Sequence, residues 1–148
     1  MPHTFTNLLV HVIFSTKDRL PVLTDETRPE IHAYLGGIVR ELGGMALCVN
    51  GTADHVHMLI RQSATVSIAD YLRVTKTNSS RWAREHFGRR FAWQTGYGAF
   101  SVSASSQRAV ERYIQSQEQH HRKMTFQEEF ITFLRKQGLA YDERFIWE

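Results

Sequence analysis

Four short β-rich runs alternating with two long amphipathic stretches constrain the fold of this chain more than its composition does. The first run, "NLLVHVIFS" (Asn7–Ser15), is apolar and rich in branched residues, as a buried strand requires. A helical pattern follows, with Thr27 and Glu30 as a capping box and Gly43-Gly44 as the stop. Its inward stripe is Ile31, Leu35, Ile38, Val39 and Leu42. "MALCVNG" and "HVHMLIR" read as two strands joined by a turn through Gly51–Asp54. A second helix over about Ser67–His86 gathers Ile68, Tyr71, Leu72, Thr75, Trp82 and Ala83 on one side, and "GAFSVS" supplies a fourth strand. This β-α-β-β-α-β order predicts an α+β, ferredoxin-like sandwich, with two helices covering one face of an antiparallel sheet.

Beyond that core, Ser105 or Ser106 caps a helix running to about Lys123. Thr125 and Glu128 open a last helix that ends at Gly138, before the aromatic tail "YDERFIWE". No repeat, low-complexity tract or linker divides the chain, so residues 1–148 read as one unit. Its parts are a core of about 7–103, a helix of about 106–123 and a C-terminal helix and tail of about 125–148.

Bulk properties bound the function. A chain of 148 residues with 42% hydrophobic and 22% charged residues can bury one core and is not disordered. The formal charge is only +3, but residues 61–100 carry seven Lys/Arg against two Asp/Glu, a local excess suited to a polyanion. A single cysteine, Cys48, excludes an internal disulfide framework and fits a reducing compartment. No signal peptide and no bilayer-length apolar run are present, so the expected address is the cytoplasm, with no membrane partner.

Two stretches carry chemistry. In "NGTADHVHMLI", His55 and His57 alternate with Val56 and Met58, so both imidazoles share one face of a strand. They are close enough to hold one divalent ion, and Asp54 can orient a ring from behind. The pair alone equally fits two half-exposed histidines on a solvated sheet face. A structural zinc site lacks its other ligands, because there is no C-x-x-C. In "VERYIQSQEQHH", Tyr113 and Gln117 are four apart on one helical face, with His120 a further turn along and Val110 and Ile114 on the adjoining apolar stripe. A tyrosine at the border of an apolar face is also ordinary packing.

Taken in order, "DHVHML", "YLRVTKTNSSRWAREH", "FAWQTGYGAFSVS" and "VERYIQSQEQHHRKMTFQEEF" resemble the H-U-H single-strand transposases of small bacterial insertion sequences. The resemblance covers essentially the whole chain. It implies metal-dependent cutting and rejoining of single-stranded DNA at hairpin-containing element ends through a 5′-phosphotyrosine. Carried over by position, Tyr113 becomes the nucleophile and His55, His57 and Gln117 the ligands of Mg²⁺ or Mn²⁺. It also implies a homodimer in which the tyrosine helix of one subunit completes the site of the other. The alternative is a ferredoxin-like single-stranded nucleic-acid-binding protein whose chemistry is lost or repurposed.

Two imidazoles and one amide form a neutral donor set, so the cation is expected to be loosely held without DNA phosphate. Arg73, Lys76, Arg81 and Arg84 on the polar side of the second helix, with Arg89-Arg90 beyond it, are candidate phosphate contacts. Trp93, Tyr97 and Phe100 are open between stacking on bases and core packing. The aromatic tail is expected to dock on a subunit surface.

Overall fold

The computed structural model of the protein describes residues 3–88 and 90–148. β1 (Leu8–Ser15), α1 (Arg28–Glu41), β2 (Met45–Gly51), β3 (His55–Gln62), α2 (Ile68–His86) and β4 (Gly98–Val102) follow one another in the expected order. The strands form one antiparallel sheet in the order β2-β3-β1-β4, the ferredoxin-like arrangement. α3 (Gln107–Gln115), α4 (Gln117–His120) and α5 (Phe126–Lys136) come after it. Among the described residues no helix is long and apolar enough to cross a membrane.

Alternation along the strands assigns the two faces. Val10, Val12 and Phe14 of β1 and Val56, Met58 and Ile60 of β3 pack under α1 and α2, against Ile31, Leu35, Val39, Tyr71, Leu72 and Ala83. The opposite face is covered as well. Ile114 of α3 seats on Leu9 and Leu59, while Phe126, Phe130 and Leu134 of α5 seat on Ile13 and Phe100. Each large apolar side chain buried this way contributes about 1.5–3 kcal/mol. Coverage on both faces explains why "NLLVHVIFS" is apolar at both parities. It also means that the histidine pair does not lie on an open sheet face, since His55 and His57 are fully buried.

Helix starts follow the expected chemistry in part. Ser67 Oγ accepts from the Asp70 N–H (3.1 Å) and Thr125 Oγ1 from the Glu128 N–H (3.2 Å), satisfying first-turn donors of α2 and α5. Thr27 makes no such bond with α1. Its hydroxyl instead meets Thr24 Oγ1 at 3.0 Å, closing the turn before the helix. Ser106 stands at the N-cap of α3, as expected, but its side chain makes no capping bond, and a 3₁₀ turn over Ala104–Ser106 leads into the helix.

Gly51 sits where the chain turns toward the histidines. A Cβ there would clash with the His55 carbonyl oxygen, a backbone atom that cannot move aside. Gly37, inside α1, faces open space. Gly51→Ala should therefore cost about 1–3 kcal/mol in urea unfolding, and Gly37→Ala should gain up to about 1 kcal/mol.

His32 of α1 has a buried Nε2 with no hydrogen-bond partner among the described residues. Burial, helped by Arg28, lowers its pKa from 6.5 to about 4. The unfolded chain thus binds the extra proton between those values, and stability present above pH 6.5 is lost as pH falls toward 4. Thermal unfolding of His32→Phe across this window should fall less steeply than that of the parent.

Candidate active site

β3 holds His55 and His57 side by side, their rings edge to face with centroids 5.1 Å apart. His55 Nδ1 lies 2.8 Å from Asp54 Oδ1 and 3.0 Å from Thr52 Oγ1. An ionised carboxylate only accepts, so Nδ1 carries the proton and, in neutral His55, Nε2 presents a lone pair inward. Burial opposes ionisation of Asp54, but hydrogen bonding to His55 and Thr52 outweighs it and holds the carboxyl below its usual range.

His57 is held at both ring nitrogens. Nδ1 lies 2.8 Å from His11 Nε2 and Nε2 lies 2.9 Å from Glu129 Oε1. Burial lowers the His57 pKa to about 4 despite the raising influence of Glu129. His11 falls to about 3 through burial and then through His57. Both are neutral at pH 7, so His57 donates to Glu129 through Nε2 and accepts from His11 at Nδ1.

α3 brings Tyr113 over this face. Asn50 of β2 donates through Nδ2 to the Ile114 carbonyl (2.9 Å) and the Gln115 carbonyl (3.1 Å). These are the acceptors that an uninterrupted helix would offer to Glu118 and Gln119. The helix expected from 106 to about 123 is accordingly divided at Ser116, and α4 resumes after it. Gln117 is nevertheless fixed by Tyr113: its Nε2 donates to the Tyr113 carbonyl (3.3 Å), which turns Oε1 to within 3.1 Å of His55 Nε2. The inward ring nitrogen of His55 thus meets two oxygen ligand atoms, Gln117 Oε1 and, at 3.6 Å, Glu129 Oε1, a mixed nitrogen and oxygen donor set that fits a metal.

α5 supplies the centre. Phe126 and Phe130 seat its inner face, and Glu129 lies between them, only 1% exposed. Glu129 Oε1 accepts from His57 and from His121 (3.1 Å) and lies 3.6 Å from His55 Nε2. Glu129 Oε2 accepts from the Tyr113 hydroxyl, which also lies 3.2 Å from His120 Nε2. Burial opposes charge on Glu129, but hydrogen bonds from His121, His57 and Tyr113 hold it well below the usual carboxylate range. For Tyr113, burial and then Glu129 push the phenol well above its ordinary value, so it is protonated. Burial alone would lower His121, but the hydrogen bond and charge of Glu129, with the Met124 backbone and Asp54, together raise it. Ligand atoms of His55, His57, His121 and Glu129 all lie within 4.8 Å of one another. The donor set is therefore not neutral, as expected from the imidazoles and Gln117 alone, but includes a carboxylate. Asp54 and His121 also line a cavity of about 400 Å³.

The sequence pattern of the family described as "Transposase IS200 like" matches residues 4–117. The chain belongs to that family. It is 25% identical over 114 residues to the ISDra2 transposase TnpA of Deinococcus radiodurans, covering 72% of this chain and 81% of that one. With the transposase for insertion sequence element IS200 of Salmonella typhimurium it shares 26% identity over 124 residues, covering 79% and 81%. The fold is shared with a crystal structure of a candidate transposase from Deinococcus radiodurans R1 (TM-score 0.65, 24% identity, 79% of this chain and 95% of that one). It is shared also with a REP-associated tyrosine transposase bound to a REP hairpin (TM-score 0.63, 10% identity, 82% and 72%).

In this IS200-like transposase the remaining expected contacts lie elsewhere. α2 covers the opposite face of the sheet, so Arg73, Arg81 and Arg84, all exposed, are a layer away from Tyr113; Arg90, in the loop after α2, is exposed too. Lys76 is not free to follow a phosphate backbone, because Nζ donates to the Thr95 (3.0 Å) and Gly96 (2.7 Å) carbonyls. Arg89 lies outside the described residues. Trp93 and Phe100 are core residues, whereas Tyr97 is 38% exposed. The tail docks on its own chain, with Trp147 against Phe126 and Phe130 and beneath Arg19.

Three residues of the cluster were not expected from the sequence: His11, His121 and Glu129. A signal existed for the last. Glu129 falls on the apolar stripe of α5 between Phe126 and Phe130, where a charge has no reason to be without a buried partner. Glu129→Gln should leave burial as the main influence on His121, dropping its pKa below 6.5 in an NMR titration of the imidazole resonances.

Proposed function

We propose that this transposase cuts and rejoins single-stranded DNA through a covalent 5′-phosphotyrosine on Tyr113, with Mg²⁺ or Mn²⁺ held by His55, His57 and Gln117. The observation that carries the reading is the meeting of one phenol and two imidazoles on a single buried carboxylate, within a family of transposases. When bound, the cation would draw charge from a non-bridging phosphate oxygen and fix the phosphate for attack.

Tyr113 Oη attacks phosphorus, forming the Tyr–O–P bond as the bond from phosphorus to the 3′ oxygen breaks. As the Tyr–O–P bond forms the phenol turns strongly acidic and sheds its proton toward Glu129 Oε2, its hydrogen-bond acceptor, while the departing oxygen takes up a proton from water to become a free 3′-OH. His55 is kept in one tautomer by Asp54, and His57 is oriented by His11. Since the ester conserves the free energy of the broken bond, attack by a second 3′-OH reverses the step and joins strands without ATP. A water nucleophile would only hydrolyse the DNA.

The DNA partner is a single strand with a hairpin, in keeping with the hairpin-bound structural neighbour. Arg73, Arg81, Arg84 and Arg90 would hold flanking backbone rather than the scissile phosphate. Residues 1–148 act as one unit. Tyr113 reaches the histidines of its own chain, with ring centroids of Tyr113 and His57 5.8 Å apart. That proximity supports a site completed within one chain, and a homodimer that exchanges tyrosine helices is the arrangement the mixed-subunit experiment distinguishes from it.

Two outcomes check this. Incubated with labelled single-stranded element ends and Mn²⁺, the parent should give a denaturant-resistant protein–DNA species. Tyr113→Phe should give none while binding hairpin DNA nearly as well; persistent adducts would discard Tyr113. Mixed Tyr113→Phe and His57→Ala subunits should stay inactive, whereas recovered cleavage would restore the crossed arrangement.

A further inference from the structure

Glu129 reaches the histidines from outside the part of the chain that the family pattern covers. That match ends at Gln117, and α5 begins at Phe126. We infer that Glu129 Oε1 is an anionic ligand of the cation held by His55 and His57, so that cation binding fastens the C-terminal helix to the sheet. The inference rests on reading this cluster as a metal site.

Donor spacing supports it. Neighbouring ligands of an octahedral cation with bonds of about 2.1 Å lie roughly 3 Å apart. Glu129 Oε1 is 2.9 Å from His57 Nε2 and 3.6 Å from His55 Nε2, and Gln117 Oε1 is 3.1 Å from His55 Nε2. Glu129 Oε1 thus lies within coordination-shell spacing of both imidazoles of β3, and ligand atoms of His55, His57 and Glu129 fall within 4.8 Å of one another. The two carboxylate oxygens also point different ways, Oε1 toward the imidazoles and Oε2 toward the Tyr113 hydroxyl. Mg²⁺ and Mn²⁺ favour carboxylate oxygen over neutral nitrogen, so a buried carboxylate gives the site an affinity that imidazoles and an amide lack.

The consequence is mechanical as well as chemical. The seat of α5 is apolar, formed by Phe126, Phe130 and Leu134 against Ile13 and Phe100. Coordination adds a bond between α5 and β3 that breaks whenever the helix lifts. Opening of α5 must then release the cation, and its opening equilibrium falls by the factor 1 + [cation]/Kd.

The test uses the full chain, without DNA, and Mn²⁺ as the probe. Calorimetry should find one Mn²⁺ per chain, and Mn²⁺ at 100 times its Kd should slow hydrogen exchange in residues 126–136 by roughly 100-fold. Glu129→Gln should weaken binding at least tenfold and remove the added protection, whereas Glu128→Gln, on the exposed side, should change neither. Absence of Mn²⁺ binding to the DNA-free protein, unaltered exchange in α5 at saturation, or parental affinity in Glu129→Gln each overturns the inference. The exchange measurement needs no variant, so a misfolded Glu129→Gln leaves the question decidable. Covalent adducts formed by a protein that binds no Mn²⁺ alone would overturn this inference and leave the proposed reaction standing. Glutamate-dependent Mn²⁺ binding without adducts would do the reverse.

Discussion

A carboxylate sealed from water must be met by donors or positive charge, and that requirement at Glu129 organises this protein. Four imidazoles and a phenol lie around it, brought from β3, α3, the end of α4 and the segment beyond. Removing one partner of such a buried charge typically costs about 3–5 kcal/mol, far more than a surface pair contributes. The groups proposed for phosphoryl transfer are therefore the groups that the folded chain can least easily lose. Stability and chemistry draw on the same contacts here.

The sheet makes this possible by being covered twice. α1 and α2 seal one face in the usual ferredoxin-like manner, and α3 and α5 seal the other. Without α5, Ile13 and Phe100 would face water and the histidines would stand on an open surface. With it, they sit in a medium where hydrogen bonds and a cation act strongly because water is largely excluded. The same closure keeps Tyr113, the proposed nucleophile, protonated through burial and its tie to Glu129.

Much of this was legible in the sequence. Apolar, β-branched runs gave the strands, and period-two alternation put His55 and His57 on one face. A spacing of four linked Tyr113 to Gln117, a link that survives the break at Ser116 because Gln117 bonds the Tyr113 carbonyl. What failed depended on pairing across long separations. Nothing near Asn50 in the chain announces that it takes the last carbonyls of α3, 64 residues away. Lys76 has the helical phase of a solvent-facing cation, yet two carbonyls of the loop before β4 capture it. Thr27 has the spacing of a cap, but Thr24 claims its hydroxyl. Glu129 was hidden by its neighbour, since Glu128 satisfies the capping pattern and masks the charge beside it on the buried stripe.

The most direct test of a shared site for phenol and imidazoles is the chemical identity of the protein–DNA bond. After reaction with a single-stranded element end, nuclease trimming and proteolysis, mass spectrometry of the conjugate should find a nucleotide attached through its 5′ phosphate to the peptide containing Tyr113. Attachment to Tyr34, Tyr71, Tyr97 or Tyr141 instead would contradict it.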